Sequence, residues 1–357
     1  MALPNNIFIE LKLSSSLNTF IKRENYSACF IICDTNTLTH CLSPLILACP
    51  VLKDAEVIEL EPGEETKDIA IATSIWETLT NFGADKKSLI INLGGGVVCD
   101  IGGFSASVFK RGIDFINIPT SLLAMADASV GGKTGINFSG IKNHIGTIIQ
   151  PKAVFIYTSF LASLPERHLK NGFAEILKIA LISDLKFFRL IENLVITSGF
   201  HDLKIITRSV ELKYKVVKKD PEEKNLRKIL NFGHTAGHAI ESLFLQEEKS
   251  LLHGEAIAVG MIIESYISLL QKRITKNDFE KIHKSLQLNF NFPPISKNKV
   301  QLFFNFFDQD KKHLNRQYRL ALLNGIGKCD PEVPVKKVQV EKAIEFYNSK
   351  ITNAVKV

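Results

Sequence analysis

The stretch SLIINLGGGVVCDIGGF, residues 88–104, decides the fold of this chain. Its first part, 88–93, is an almost continuous apolar run, which predicts a buried strand. Glycines follow at once, and a helix beginning there would direct its backbone amides and the positive end of its dipole toward an anion. The junction predicts a dinucleotide site. It lacks the Rossmann GxGxxG spacing, however, and a tight packing turn explains the glycines about as well.

Strands and helices alternate on both sides of this junction. Residues 28–34 and 55–60 are predicted strands, and 69–82 has the periodicity of a helix. Strand, helix and strand in succession predict a parallel sheet covered by helices. Asp34 and Asn36, at the end of a predicted strand, could accept ribose hydroxyls or simply cap a turn.

The second half of the chain is different in character. Long amphipathic segments at 172–182, 203–218 and 255–270 predict helices. A chain of 357 residues also exceeds what one core usually supports. We therefore predict an α/β N-terminal nucleotide-binding domain with a Rossmann-like parallel sheet, residues 1–158, and an all-α C-terminal metal- and substrate-binding domain, residues 159–357.

Composition narrows the function classes. The chain has 44 Lys and Arg against 37 Asp and Glu, and this net charge of +7 suits an anionic small substrate. The basic residues are dispersed, so nucleic acid is not an expected partner. The six cysteines form no CxxC pair, which indicates reduced, buried thiols. No signal segment or long apolar run is present, so we expect a cytoplasmic protein without membrane contact.

A second glycine-rich segment lies at 131–134, with the sequence GGKT. It invites a P-loop interpretation, but the earlier glycine of that motif is missing, so nucleotide hydrolysis is not predicted. Lys133, Lys142, Asn143 and Arg111 could together hold a phosphate or carboxylate. Any one of these lysines alone would more often be a solvated surface charge.

Two histidines in 230–241 predict a metal site. His234 and His238 stand one turn apart on a helix, Glu241 follows a turn later, and His253 comes shortly after. Geometry alone would choose His234 and His238 together as ligands. Helical histidines are often capping or core-edge residues, but the neighbouring glycines favour a site.

Glu175 is a further candidate ligand, because it lies among apolar residues of a predicted helix. A buried carboxylate needs a partner, and a metal ion is one such partner. The alternative is an exposed ion pair with Lys178, three residues later. A Glu/His/His set without cysteine favours a zinc-like ion with an open position.

Several motifs, in this order and spacing, resemble the 3-dehydroquinate synthase family. The resemblance extends from Asp34 to Lys312, and its motifs lie at 94–100, 110–112, 118–124, 131–134, 142–143, 172–178, 227–238 and 253–255. It implies conversion of 3-deoxy-D-arabino-heptulosonate 7-phosphate to 3-dehydroquinate and phosphate in the shikimate pathway. It also implies NAD and a divalent metal, zinc or cobalt, as cofactors, a homodimer, and an active site in the cleft between the domains. Because the chain ends soon after the last motif, we expect a single-function enzyme.

The resemblance assigns the metal to Glu175, His234 and His253, which overrules the geometric pairing of His234 with His238. It implies that the catalytic residues are His238, Glu223, Lys178 and Lys133. It places the NAD contacts at Asp34, Asn36, Glu64, Lys67, Gly95, Gly96, Val97, Asp100, Thr120, Ser121, Lys142, Phe160 and Ser163. It places the substrate contacts at Arg111, Asp127, Lys133, Asn143, Lys178, Lys213, Arg227, Asn231, Lys311 and Lys312. Arg111 is expected to reach the phosphate in the neighbouring subunit.

Four positions depart from the family pattern, and three other functions remain open. The departures are Cys99, Gly102, Ser121 and His168, and they concern the cofactor more than the reaction. A sister sugar-phosphate cyclase, such as a 2-epi-5-epi-valiolone or 2-deoxy-scyllo-inosose synthase, would use the same cofactors on another substrate. A metal-dependent polyol dehydrogenase would show net redox. A non-catalytic binding protein would not need the complete site.

Overall fold

The structure is a computed structural model that describes residues 3–139, 141–245, 250–309 and 317–354. The chain divides into two compact units, the first of residues 1–169 and 198–214 and the second of residues 170–197 and 215–357. The sequence placed the boundary between 158 and 159, whereas the first division between the units lies after Leu169. The domain limits stay a prediction.

A six-stranded parallel sheet forms the centre of the first unit, in the order β1-β8-β5-β4-β2-β3. Its inner strands are almost wholly buried, as the apolar run at 88–93 predicted. Its strands are β1 (Ile7–Glu10), β2 (Cys29–Asp34), β3 (Glu56–Leu60), β4 (Leu89–Gly94), β5 (Asp114–Pro119) and β8 (Ala153–Tyr157). The predicted parallel, Rossmann-like sheet is confirmed.

Helices and a small hairpin complete this unit. The glycine-rich helix α5 lies against the sheet, and Val98 and Ile101 on it join the apolar cluster beneath. The helices are α1 (Ser15–Glu24), α2 (Thr35–Thr37), α3 (Ser43–Ala48), α4 (Ile69–Asn81) and α5 (Gly96–Val108), followed after β8 by the start of α6 (Glu166–Ser183) and, later, most of α8 (Leu203–Lys219). The antiparallel hairpin is β6 (Lys133–Phe138) with β7 (Ile141–Ile148).

The second unit is mainly helical, as predicted. It contains most of α6 and the helices α7 (Leu185–Ile191), α9 (His234–Phe244), α10 (His253–Leu270), α11 (Lys276–Gln287), α12 (Lys297–Gln309) and α13 (Lys337–Ala354). The unit also has an antiparallel hairpin, β9 (Tyr318–Leu323) with β10 (Cys329–Val335). The prediction of an all-α domain missed this hairpin, whose second strand contains Pro331 and Pro334.

Close helix packing positions the histidine-bearing elements of this unit. A Cβ atom on Gly260 of α10 would lie 1.9 Å from the carbonyl oxygen of Gly233 and 2.6 Å from the backbone nitrogen of Gly237. Only glycine at position 260 therefore allows the backbones of α9 and α10 to approach this closely. None of the helices in the described part of the chain is long and apolar enough to cross a membrane.

Candidate functional site

Helix α6 supplies a buried acidic and basic pair. Glu175 and Lys178 are each 2% exposed, and the ammonium of Lys178 contacts the carboxylate of Glu175 one turn away. Phe173, Ile176 and Leu177 around them are fully buried. The predicted alternative of an exposed ion pair is therefore wrong about exposure, and two buried charges here require a functional or structural reason.

Two histidines of the second unit approach the same carboxylate. The Nε2 atom of His234, at the start of α9, is 3.6 Å from Glu175 Oε1, and the Nε2 atom of His253, at the start of α10, is 3.7 Å from it. The Nδ1–H of His234 can donate to the carbonyl of Phe232 at 3.2 Å. That bond would leave its Nε2 lone pair directed toward Glu175.

These three side chains fit a divalent metal ion. Both carboxylate oxygens of Glu175 are buried, and neither accepts a well-formed hydrogen bond in the structure. Two ligands about 2.0–2.1 Å from a tetrahedral zinc ion are about 3.3–3.4 Å apart, close to the observed spacings. One atom from each of Glu175, His234 and His253 lies within 4.8 Å of the others. The group is thus geometrically available, and its role as the ligand set stays a prediction.

The charge states of two of the three candidate ligands, Glu175 and His234, also fit metal binding. Burial raises the pKa of the Glu175 carboxyl, but Lys178 and His253 outweigh it and lower the pKa to about 2. Burial, helped by Lys178 and His238, lowers the pKa of His234 well below its ordinary value. Glu175 is therefore an anion and His234 a neutral imidazole, which are the ligand forms that a metal needs.

A second group shares His253. Glu241 Oε2 is 3.5 Å from His253 Nδ1, and His238, Glu241 and His253 also bring possible ligand atoms within 4.8 Å. The rings of His234 and His238 have their centroids 5.3 Å apart. No candidate metal group among the described residues contains both of these histidines, so the geometric pairing considered first is not supported.

Two further carboxylates lie in this region: Glu241, which the sequence motif included without an assigned role, and Glu264, which the sequence analysis did not name. Glu241 orients His253 from its far side, as carboxylates commonly do for metal-binding histidines. Glu264 is fully buried on α10, and it accepts the backbone N–H groups of Gly233 at 2.6 Å and Ala236 at 3.1 Å. It thereby caps the start of α9, next to His234. The signal for Glu264 was a carboxylate inside an otherwise apolar helix.

A loop before α9 holds three predicted site residues. Asp220 accepts the backbone N–H groups of Asn225 at 2.7 Å and Arg227 at 3.0 Å. Within the loop, Asn231 Nδ2 donates to Glu223 Oε1 at 2.9 Å. The structure therefore brings Glu223 and Asn231 together. Arg227, which lies between them in the sequence, is buried. Lys311 and Lys312 lie outside the described residues.

In the first unit, the predicted NAD residues cluster at the carboxyl edge of the sheet. Thr120, after β5, donates its backbone N–H to the carbonyl of Gly94 at the end of β4, at 3.0 Å. Gly95 is the N-cap of α5, and a Cβ atom on it would lie 3.5 Å from Ser121 Oγ. Gly96 and Val97 open the helix, so several backbone amides face this edge, as an anion requires.

The other predicted NAD residues are more varied in position. Asp34 ends β2, and its carboxylate accepts the backbone N–H of Thr37 at 2.8 Å, so the capping role proposed as an alternative is present. Asn36 and Ser163 are exposed, and Phe160 is buried in the turn after β8. Glu64, Lys67 and Asp100 form one network of ion pairs. Lys67 Nζ lies 2.8 Å from Asp100 Oδ2 and 3.6 Å from Glu64 Oε1.

The predicted substrate residues of this unit lie in three places. Lys213 of α8 is buried and contacts Asp127 Oδ1 at 2.5 Å. Lys133 lies in β6, and Lys142 and Asn143 lie in β7, all exposed on the hairpin. Arg111 is exposed in the turn after α5 with a positive φ of 63°.

The four departures from the family pattern are all accommodated. A Cβ atom on Gly102 would lie 1.9 Å from Asn92 Oδ1, so a larger residue at 102 would require a smaller one at 92. Cys99 is buried, and burial raises the pKa of its thiol. Ser121 Oγ accepts the backbone N–H of Ala124 at 3.2 Å, and His168 is exposed at the start of α6.

Known structures share this fold. The structure of 2-deoxy-scyllo-inosose synthase complexed with carbaglucose-6-phosphate, NAD⁺ and Co²⁺ is similar with a TM-score of 0.84 and 26% identity, covering 95% of this chain and 96% of that one. The 2-epi-5-epi-valiolone synthase of Streptomyces hygroscopicus subsp. jinggangensis, with NAD⁺ and Zn²⁺ bound, has a TM-score of 0.83 and 27% identity, covering 98% and 99%. The fold is thus that of NAD- and metal-binding sugar cyclases.

Sequence relatives identify the family. Residues 57–171 match the family described as 3-dehydroquinate synthase N-terminal, and residues 172–313 match 3-dehydroquinate synthase C-terminal. The 3-dehydroquinate synthase of Parabacteroides distasonis is 37% identical over 346 residues, which cover 94% of this chain and 95% of that protein. The chain belongs to the 3-dehydroquinate synthase family.

Proposed function

We propose that this chain is a 3-dehydroquinate synthase, a carbon–oxygen lyase acting on phosphates. It would convert 3-deoxy-D-arabino-heptulosonate 7-phosphate to 3-dehydroquinate and phosphate. The observation that carries the proposal is the convergence of Glu175, His234 and His253 within the region that matches the family. The 37% identity to a relative of this name exceeds the 26% and 27% to the two sister cyclases.

The cofactors of the proposal are NAD and one zinc or cobalt ion. When bound, NAD accepts and returns a hydride, and the metal polarises a substrate oxygen, so no net redox occurs. The carboxyl edge of the sheet, with the start of α5, would hold the pyrophosphate of NAD. Glu175, His234 and His253 would hold the metal.

Side chains of this protein would move the protons and hold the phosphate. We assign His238 and Lys178 to the proton of the substrate hydroxyl, because both lie beside the candidate ligands. Glu223, bonded to Asn231, is the second acid/base candidate. Cations orient the phosphate and stabilise its charge as it leaves. The substrate contacts proposed are Arg111, Asp127, Lys133, Asn143, Lys178, Lys213, Arg227, Asn231 and either Lys311 or Lys312.

A substrate panel tests the proposal. Purified protein with catalytic NAD and Zn²⁺ or Co²⁺ should release phosphate and form dehydroquinate from the heptulosonate phosphate, without net NADH. Phosphate release is measured with a coupled assay, and dehydroquinate by its product spectrum or mass. Chelation of the metal should stop both, and returning the metal should restore both.

Three results would contradict the proposal, each in favour of a different alternative. Turnover only on sedoheptulose 7-phosphate or glucose 6-phosphate would indicate a sister cyclase. Steady NADH accumulation would indicate a polyol dehydrogenase. No turnover by protein with bound NAD and metal would indicate a binding protein.

A cytoplasmic location belongs to the proposal, because all six cysteines are free thiols.

A homodimer in which Arg111 serves the neighbouring subunit is part of the same proposal, and mixed dimers test it. Arg111→Ala and His253→Ala should each be nearly inactive alone, the first lacking a phosphate contact and the second a metal ligand. If Arg111 acts across the dimer, each hybrid has one complete site, and an equal mixture recovers about a quarter of normal activity. No recovery in a mixture shown to exchange subunits would mean that Arg111 acts within its own subunit.

A further inference from the structure

Two asparagines lie side by side inside the parallel sheet of the first unit. Asn92 of β4 and Asn117 of β5 are register partners, and they are 0% and 3% exposed. The residues on either side of each asparagine in its strand are apolar and fully buried. A buried amide costs free energy unless its polar atoms are hydrogen-bonded, so a pair of amides at this place requires a reason.

The two amides form a relay that leads from the sheet to a loop carbonyl. Asn92 Nδ2 donates to Asn117 Oδ1 at 2.9 Å, and Asn117 Nδ2 donates to the backbone carbonyl of Ser129 at 3.2 Å. Because a carbonyl oxygen can only accept, it fixes the Asn117 amide with its nitrogen toward Ser129 and its oxygen toward Asn92. Asn92 must then donate to that oxygen. The amide relay, Asn92 and Asn117, therefore has one direction.

Helix α5 leaves room for this relay at Gly102. Asn92 Oδ1 is buried and has no hydrogen bond among the described residues. A Cβ atom on Gly102 would lie 1.9 Å from this oxygen and 2.7 Å from Asn92 Cγ. The departure of Gly102 from the family pattern therefore provides the space that Asn92 occupies. A larger residue at 102 would displace the side chain that orients Asn117.

The segment that the relay reaches carries a predicted substrate residue. Ser129 follows the short helical turn Ala124–Ala128, and its backbone N–H donates to the carbonyl of Ala124 at 3.0 Å. Two residues earlier, Asp127 contacts the ammonium of the buried Lys213 through both Oδ1 and its backbone carbonyl. The hydrogen bond from Asn117 thus ties the sheet to the chain two residues from this ion pair.

We propose that Asn117, oriented by Asn92, is a positioning residue that fixes residues 127–129, so that Asp127 and Lys213 are held in place for the substrate. Asn117 acts through the carbonyl of Ser129, and Asn92 acts through Asn117. The effect on substrate rests on the proposed function, because Asp127 and Lys213 are substrate contacts only there. The hold of the relay on the segment does not depend on that function.

Leucine variants test the hold on the segment. Asn117→Leu removes the donor to Ser129 but leaves the amide of Asn92 without its acceptor. Asn92→Leu/Asn117→Leu replaces both amides by apolar groups of similar shape, which keeps the variant folded. In both variants, hydrogen–deuterium exchange of residues 121–132 should be about 10-fold faster than in the unmodified protein, because the segment opens more readily.

A double-mutant cycle tests the order of the relay. Asn92→Leu alone should also speed exchange in residues 121–132, because the amide of Asn117 is then no longer oriented. Adding Asn92→Leu to Asn117→Leu should change that exchange by less than about 2-fold, because Asn92 acts only through Asn117.

The kinetic readout is a split between KM and kcat. Loss of Asn117 should raise the KM for the heptulosonate phosphate by about 5-fold or more, because substrate binding must then order the segment, and should lower kcat by less than about 3-fold. Asn117→Gln, which keeps an amide, should recover part of the loss. Asn289→Leu is the matched control, because Asn289 is a buried asparagine that bonds the backbone of Leu194 and Ile196 in the second unit. It should lower Tm and leave KM unchanged.

Three outcomes would overturn the proposal. The first is unchanged exchange in residues 121–132 of both variants that lack Asn117. The second is faster exchange with an unchanged KM, which would make the relay purely structural. The third is a full effect of Asn92→Leu in the Asn117→Leu background, which would mean that Asn92 acts by another route. Inactivity of the unmodified protein would contradict the proposed function instead, and the exchange measurements decide the hold on the segment without turnover.

Discussion

Glu175→Gln is expected to lose the metal ion, and with it nearly all activity at limiting metal. A zinc ion held by roughly 10–16 kcal/mol receives about 2.5–4 kcal/mol from each of four ligands, which corresponds to about 10²–10³-fold in affinity. Glutamine keeps the shape of Glu175 but removes the anion that Lys178, His234 and His253 all face. Equilibrium dialysis with elemental analysis, or a Co²⁺ absorption titration, measures the change.

The stranded cation of Lys178 is the main complication in this variant. It would be left buried without its carboxylate, and an unpaired buried charge costs several kcal/mol of folding free energy. Glu175→Gln/Lys178→Met removes that charge and keeps the metal question separate from folding. Glu280→Gln, on the exposed face of α11, is the matched control. Full metal occupancy in a folded Glu175→Gln variant would refute the ligand assignment.

Much of the fold was predictable because its signals are local. The apolar run that became β4 and the glycines that open α5 are contiguous in sequence, so their local geometry follows from residue type. The hairpin of β9 and β10 was missed, because prolines interrupt its second strand. The pairing of its two strands depends on tertiary contacts, and a local sequence pattern does not report those.

The candidate site was predictable only in part, for the same reason. His234 and His238 share a helix face, and spacing alone therefore paired them. Glu175 and His253 lie on two other helices; both were candidates from the residues alone, and the family resemblance selected them over His238. Glu264 acts through backbone amides, and such bonds leave no periodic trace in the sequence. Its one sequence signal is a charge inside an otherwise apolar helix.

Metal binding is expected to release a proton and to strengthen steeply with pH. Burial lowers the pKa of His253, but its interactions with the carboxylates of Glu175 and Glu241 outweigh burial and raise the pKa to about 9. His253 is therefore protonated at pH 7 in the metal-free protein, and it must lose that proton before it can bind a metal. The apparent affinity should rise about tenfold per pH unit below pH 9 and level off above it.

The stability of the metal-free protein should change in the opposite direction over the same range. His253 has a folded pKa raised from 6.5 to about 9, so its contribution is complete below pH 6.5 and is lost as the pH rises through 9. Glu175 has a pKa lowered from 4.5 to about 2, so its contribution is present above pH 4.5 and is lost as the pH falls through 2. The contributions of His253 and Glu175 to folding stability are therefore both complete between pH 4.5 and 6.5, where these two groups stabilise the metal-free protein most.

Calorimetry in buffers of different ionisation enthalpy counts the protons released, and Glu241→Gln tests their source. At pH 7 about one proton should leave per metal ion bound. The Glu241→Gln variant lacks the carboxylate 3.5 Å from His253 Nδ1, so its affinity should level off at a lower pH. Above pH 9 His253 is neutral in both proteins, so the variant differs only in that Glu241 no longer orients the His253 ring. It should then bind metal about 10–100-fold more weakly than the unmodified protein. Absence of proton release at pH 7 would mean that His253 is already neutral or is not a ligand. If the apparent metal affinity of Glu241→Gln levels off at the same pH as that of the unmodified protein, Glu241 does not hold the proton on His253.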